Sequence, residues 1–186
     1  MSRGVGQSFS TKFVYKIGGK SRIFENHVEF KGHNEWQTTI FVDADACPVK
    51  NEIFLLAHQF NIESVFVSSY NHFSPSKEMK WVYVDTEREA VDLYILNHAL
   101  KGDVVVTQDI GLASMLVNRG IYVVSPRGKV YEEKEMDHIL YIRYLQAKQR
   151  RQGVYAKGAK RFSDEERHAF LKSFEKILSK LAGKQT

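Results

Sequence analysis

Cysteine is almost absent from this sequence. Cys47 is the only one in 186 residues, which excludes an internal disulfide framework and any multi-cysteine zinc cluster built within the chain. A reducing, cytoplasmic setting is the expectation. Long apolar runs are also missing: nothing approaches the roughly 18 apolar residues of a membrane span. The opening MSRGVGQSFSTKF lacks the apolar stretch of a secretory signal. Neither membrane insertion nor export is expected. The sequence has no internal repeat and no low-complexity tract. His58, His72, His98 and His138 show no metal-ligand spacing and are read as bystanders.

What is present is enough for a real core. With 43% hydrophobic residues in 186, one domain with appendages is the natural reading. The net charge of +5 is unevenly spread. Residues 1–38 carry six basic against three acidic side chains, a balance of +3. Residues 39–142 carry nine against fifteen, or −6, whereas residues 143–161 carry seven basic side chains and no acidic one, or +7. An acidic body followed by a compact basic arm points to a polyanionic partner.

Residues 1–38 differ in pattern from the rest of the chain and are read as an N-terminal extension or leader. Phe13 to Ile17 and Ile23 to Phe30, around Gly18 and Gly19, suit a hairpin. From Thr39 short apolar runs alternate with segments of helical period, the signature of βαβ units. Strands are predicted at Thr39 to Val42, Ser64 to Val67, Trp81 to Val84, Val104 to Thr107 and Ile121 to Val124. Helices are predicted from Pro48, from Glu87 to Leu100, from Ile110 to Arg119 with a left-handed cap at Gly120, and from Glu132 to Gln152. Residues 153–160 read as a linker. Ser163 and Glu166 then form a capping box ahead of a terminal amphipathic helix. The expected fold is α/β: a mainly parallel central sheet with helices on both faces over residues 39–142, plus a C-terminal helical extension over residues 143–186.

Four carboxylates stand out. Asp43 and Asp45 follow the run Ile40, Phe41 and Val42, and Asp109 follows Val104 to Thr107, so two strand ends supply acids to one sheet edge. Asp92 lies one turn into the second helix. Single Asp residues commonly cap helices. A cleft of several needs protons or a cation, because two carboxylates ~4 Å apart repel by ~4 kcal/mol at an effective dielectric near 20. Oxygen-only donors favour Mg2+ or Mn2+ over zinc. Thr107 is placed to orient Asp109 or water. Cys47 lacks the following Arg of a cysteine phosphatase and reads as structural. Arg127 and Gly128, in SPRGK, suit either a phosphate contact or an ordinary turn. In the arm, Arg143, Lys148, Arg150, Arg151, Lys157, Lys160 and Arg161 are interleaved with Tyr144 and Tyr155. That mixture suits phosphate contacts and base stacking, or a solvated helix face.

The segments IFVDADACPVK, GDVVVTQDIGLA, SPRG and KGAKRFSDEER resemble the YaiI/YqxD family of bacterial proteins, from about Thr39 to Leu181. The family looks like a distant branch of the PIN-like nucleases. That resemblance implies a three-layer fold and metal-dependent cleavage of single-stranded RNA. Asp43, Asp92 and Asp109 match the acidic positions, and Asp45 is an added carboxylate. A haloacid-dehalogenase-like phosphohydrolase, with Asp43 as nucleophile, is the alternative enzyme. A non-catalytic RNA-binding module is the alternative outside enzymology. A homo-oligomer is compatible with each.

Overall fold

The computed structural model describes residues 12–17, 20–25, 38–72, 78–87, 89–153, 158 and 160–183. The chain divides into two compact units, Met1–Gln37 and Thr38–Thr186. In the first, β1 (Lys12–Ile17) and β2 (Lys20–Glu25) pair antiparallel, with Ile17 opposite Lys20. The two predicted strands pair, but the second starts three residues earlier than expected, and the turn at residues 18–19 lies outside the described residues. Residues 26–30 lie outside the described residues.

The second unit carries strands β3 (Thr39–Asp43), β4 (Glu63–Ser69), β5 (Lys80–Val84), β6 (Val104–Val106), β7 (Tyr122–Val124) and β8 (Val130–Tyr131). Its helices are α1 (Lys50–Gln59), α2 (Ala90–His98), α3 (Ile110–Val117), α4 (Glu133–Arg151) and α5 (Asp164–Ala182). The strands form one sheet in the order β5-β4-β3-β6-β7-β8. All neighbours are parallel except β8, which runs antiparallel to β7.

Period-two alternation divides the core into two layers. Ile40, Val42, Phe66, Val104, Val106 and Val124 point to one face, where Val49, Ile53 and Ala57 meet Phe170, Phe174 and Leu178 of α5. Phe41, Val65, Val67, Val105 and Val123 point to the other, against Ile95 of α2, Leu112 and Leu116 of α3 and Met136 of α4. The fold is therefore three-layered α/β, with α1 and α5 on one face and α2, α3 and α4 on the other.

The terminal helix is an extension in sequence but a core layer in space. Its start has the predicted capping box between Ser163 and Glu166. Gly128 lies against it with φ +86°, and a Cβ there would fall 2.5 Å from the carbonyl carbon of Ala169. Ser173 Oγ donates to the Gly128 carbonyl at 2.8 Å. The guanidinium of Arg127 donates to Glu166 and to the Lys160 carbonyl, and Arg167 pairs with the buried Glu52 of α1.

Some boundaries shift for local reasons. Pro48 and Val49 form a turn, and α1 begins at Lys50 with Val49 as N-cap. Glu89 has φ 69°, a left-handed conformation that stops α2 from extending back to Glu87. The two residues of β8 carry too little alternation to register as a strand in sequence. They pair because the SPRG turn closes through Ser125, whose N–H donates to the Lys129 carbonyl at 2.8 Å.

Candidate active site

The chain leaves β3 through α1 on one face, and leaves the neighbouring β6 through α3 on the other. The carboxyl ends of these two strands form the topological switch point of the sheet, the place where α/β folds bind ligands. Asp43 ends β3 there. Thr107, fully buried, follows β6 and ties the two sides together. Its hydroxyl donates to Asp43 Oδ2 at 2.9 Å and accepts from the Asp109 N–H at 3.0 Å. Thr107 thus orients the Asp43 carboxylate and the Asp109 backbone. Asp109 is the N-cap of α3, with Oδ1 accepting from Gly111 at 2.5 Å and Leu112 at 3.1 Å. Asp92 lies in the first turn of α2, a helix that packs on the same face of the sheet as α3.

Asp43, Asp92 and Asp109 are linked by charge: Asp109 acts on both Asp43 and Asp92, and Asp43 acts on Asp92. Burial raises the Asp43 pKa most, the Thr107 hydrogen bond opposes it, and the charges of Asp45 and Asp109 raise it further. Asp92 is pushed up to about 6, first by partial burial and then by the charges of Asp109, Asp43 and Glu89. Among the described residues the ion pair recorded to these three is Arg143 Nη1, 3.6 Å from Asp109 Oδ1.

Asp45 turns away from this trio. Its carboxylate accepts from Ser68 Oγ at 2.6 Å, Ser69 N–H at 3.0 Å and Ser69 Oγ at 2.9 Å, which braces the end of β4. Its charge still reaches Asp43. The arrangement is three plus one: among the described residues no three His, Cys, Asp or Glu side chains stand as a ready ion cage. Asp43 Oδ2, Asp109 Oδ1 and the Asp45 carboxylate are committed to internal hydrogen bonds. The donor chemistry nevertheless fits a hard divalent cation. The proton affinities of Asp43 and Asp92 are raised in part by neighbouring negative charge, which such a cation would relieve.

The remaining candidates are distributed differently. Cys47 is buried, and burial pushes its thiol up to about 11, so it is not a nucleophile at neutral pH. Arg127 is engaged with α5 through Glu166 and Lys160, and Gly128 makes room for α5 itself; the geometry gives neither a phosphate to hold. Arg150 and Arg151 are exposed in the last turn of α4. Lys157 and Tyr155 lie outside the described residues. By charge pattern Arg143 belongs to the basic arm, yet it stands beside the acids. Its spacing carries a signal for this: it lies seven residues after Met136, the buried anchor of α4, and so on the same helical stripe.

The crowding of carboxylates yields a stability prediction. The folded-state pKa of Asp92, about 6, exceeds the ordinary 3.8, so the folded chain binds this proton more readily than the unfolded one. The charge on Asp92 therefore destabilises the metal-free fold above pH 6, and the penalty fades as pH falls towards 4. Asp92→Asn should raise the melting temperature in chelator at pH 7 by about 2–4 °C, or about 1 kcal/mol after discounting for solvent screening. The gain should shrink on acidification. A difference independent of pH would show that Asp92 is not charged against its neighbours.

A family model described as uncharacterized BCR, YaiI/YqxD family, matches residues 41–180. The chain belongs to this family. A UPF0178 protein of Bacillus cytotoxicus is 54% identical over 144 residues, covering 77% of this chain and 95% of its own length. A UPF0178 protein of Bacillus velezensis is 53% identical over 148 residues, covering 78% and 88%. One from Listeria welshimeri is 52% identical over 137 residues, covering 73% and 92%. No solved structure matches the chain significantly. The family match takes in all four Asp residues, α4 and most of α5. No helix among the described residues is long and apolar enough to cross a membrane.

Proposed function

We propose that this YaiI/YqxD-family protein is a nuclease that uses Mg2+ or Mn2+ to hydrolyse phosphodiester bonds in single-stranded RNA, through a PIN-like site. What supports this reading is Asp43 at the end of β3, tied by Thr107 to the start of α3 where Asp109 caps the helix, with Asp92 of α2 near enough to feel the charge of both. Asp43, Asp92 and Asp109 would hold the ion. Bound there, it would supply a water of lowered pKa and neutralise charge on the scissile phosphate. The chain's own residues do the positioning. The Thr107 hydroxyl fixes the Asp43 carboxylate, and the amide groups that open α3 fix Asp109.

The basic arm supports a polyanionic substrate. Arg143 and Arg150 lie on one stripe of α4, about 10 Å apart along the axis, and Arg143 adjoins the acids. Tyr141 and Tyr144 are 58% and 59% exposed on the same helix, offering faces on which unpaired bases stack. The haloacid-dehalogenase-type alternative is less well supported. It needs Asp45 as a proton-donating acid, whereas three donors already point at that carboxylate.

The deciding assay is cleavage of labelled single-stranded RNA with manganese against chelator. Cleavage that needs the metal is the expected result. Binding in chelator should weaken with salt, with a slope near about −3 in log–log form if about four phosphates are contacted. Replacing Arg150 and Arg151 by Ala should reduce that slope by about 1.4. An affinity indifferent to salt would remove the arm from the binding surface.

A further inference from the structure

We infer that Arg143 is a displaceable counter-cation for Asp109, occupying that carboxylate until an RNA phosphate draws the guanidinium away, so that substrate entry and metal loading are coupled. This rests on the nuclease reading and adds a residue and an order of events to it.

The geometry sets out the resting position of the arginine. Met136 anchors the start of α4 in the core, and Arg143 comes two turns later on the same stripe, so its side chain is delivered to the start of α3. There Nη1 stands 3.6 Å from Asp109 Oδ1, longer than a direct hydrogen bond, with the two side chains 46% and 42% exposed. Charge holds this contact, and solvent reaches it. Asp109 Oδ1 already accepts two backbone N–H groups, so the arginine adds positive charge without being required to hold Asp109 in place.

Such an exposed pair is weak and easily exchanged. A phosphodiester offers the same guanidinium two oxygens in a planar, bidentate match. It would lie along α4, where Arg150 continues the stripe. Once Arg143 turns to the phosphate, Asp109 regains its full charge beside Asp43 and Asp92, and the trio attracts a divalent cation more strongly. By linkage, RNA raises metal affinity and metal raises RNA affinity by the same factor. The resting protein would then be poorly loaded with metal until substrate is present.

The test measures Mn2+ affinity on the full chain by the electron paramagnetic resonance of free Mn2+, with no turnover involved. Without RNA, Arg143→Gln should bind Mn2+ more tightly than wild type, by up to about fivefold. Arg143→Lys, which keeps the charge, should stay near wild type. Melting curves should be unchanged, because the side chain is half exposed. Adding a 2′-O-methyl oligonucleotide, shown intact by gel afterwards, should tighten Mn2+ binding in both proteins. The gain should be larger in wild type by that same factor, because only there is an arginine displaced. Wild type and Arg143→Gln binding Mn2+ equally, or the variant binding more weakly, would overturn the inference and leave the nuclease reading standing. Binding of Mn2+ by neither protein would overturn the reading and the inference together.

Discussion

Asp109→Asn is expected to reduce manganese-dependent cleavage of single-stranded RNA by about a hundredfold or more, while the domain stays folded. Loss of an outer partner of a metal ligand typically costs about 10- to 100-fold, and here a ligand's own charge is removed. Folding survives for a reason visible in the structure. Asp109 caps α3 by accepting from the Gly111 and Leu112 N–H groups through one oxygen, and an Asn carbonyl caps about as well as Asp. Removing one of several crowded charges also relieves repulsion on Asp43 and Asp92, so the melting temperature in chelator should hold or rise. Labelled RNA assayed with metal and with chelator, alongside thermal melts, decides the matter. Equal cleavage by variant and wild type would point to a contaminating nuclease. No cleavage by either, with RNA still bound, would favour a non-catalytic RNA-binding module.

Gly128→Ala should destabilise the fold more than alanine at any other described glycine, by about 3 kcal/mol or more. Two penalties combine there. An alanine at φ +86° is strained. Its Cβ would also sit 2.5 Å from the Ala169 carbonyl carbon and 2.6 Å from the Phe170 nitrogen, which are backbone atoms that cannot swing aside. Overpacking of this kind costs about 1–3 kcal/mol even without backbone strain. The helix must retreat, and with it Phe170, Phe174 and Leu178, all fully buried. Denaturant unfolding should show a lower midpoint, and the melting temperature should fall by about 6–12 °C. A variant as stable as wild type would mean that α5 is not seated on the SPRG turn. Gly153→Ala, at φ +80° with nothing within 4 Å of the new methyl, isolates the strain from the clash.

The parts of this fold that announced themselves in sequence are those where period and chemistry agree. Val104 to Thr107 reads as a strand, and Val104–Val106 form one, one residue shorter. Ser163 and Glu166 read as a capping box and bond as one. What stayed hidden depends on distance in sequence. Asp45 looks like a fourth site carboxylate beside Asp43, and only the arrival of Ser68 and Ser69 from the next strand turns it aside. Arg127 and Gly128 look like a phosphate turn. Their partners, Glu166 and Ala169, lie about forty residues later, and no local pattern announces them. Glu89 carries no signal for its left-handed φ, because Glu ordinarily favours helix. The RNA target came from resemblance and from the arm's charge, and neither fixes a geometry.

The seating of α5 has a consequence for how the protein behaves as a set of pieces. The helix reaches back to Glu52 through Arg167, across 115 positions of chain, and contributes Phe170, Phe174, Ile177, Leu178 and Leu181 to the shared interior. In effect it is a tethered ligand occupying its own receptor, joined to the body by the chain between Gln152 and Lys160. A chain cut once within that tether should not come apart: the two fragments keep the same complementary surfaces, and only the effective concentration supplied by the connection is lost. Mixed as separate pieces, residues 38–152 and 160–183 should find each other in solution and restore the body, so the domain lends itself to being split and reassembled on demand.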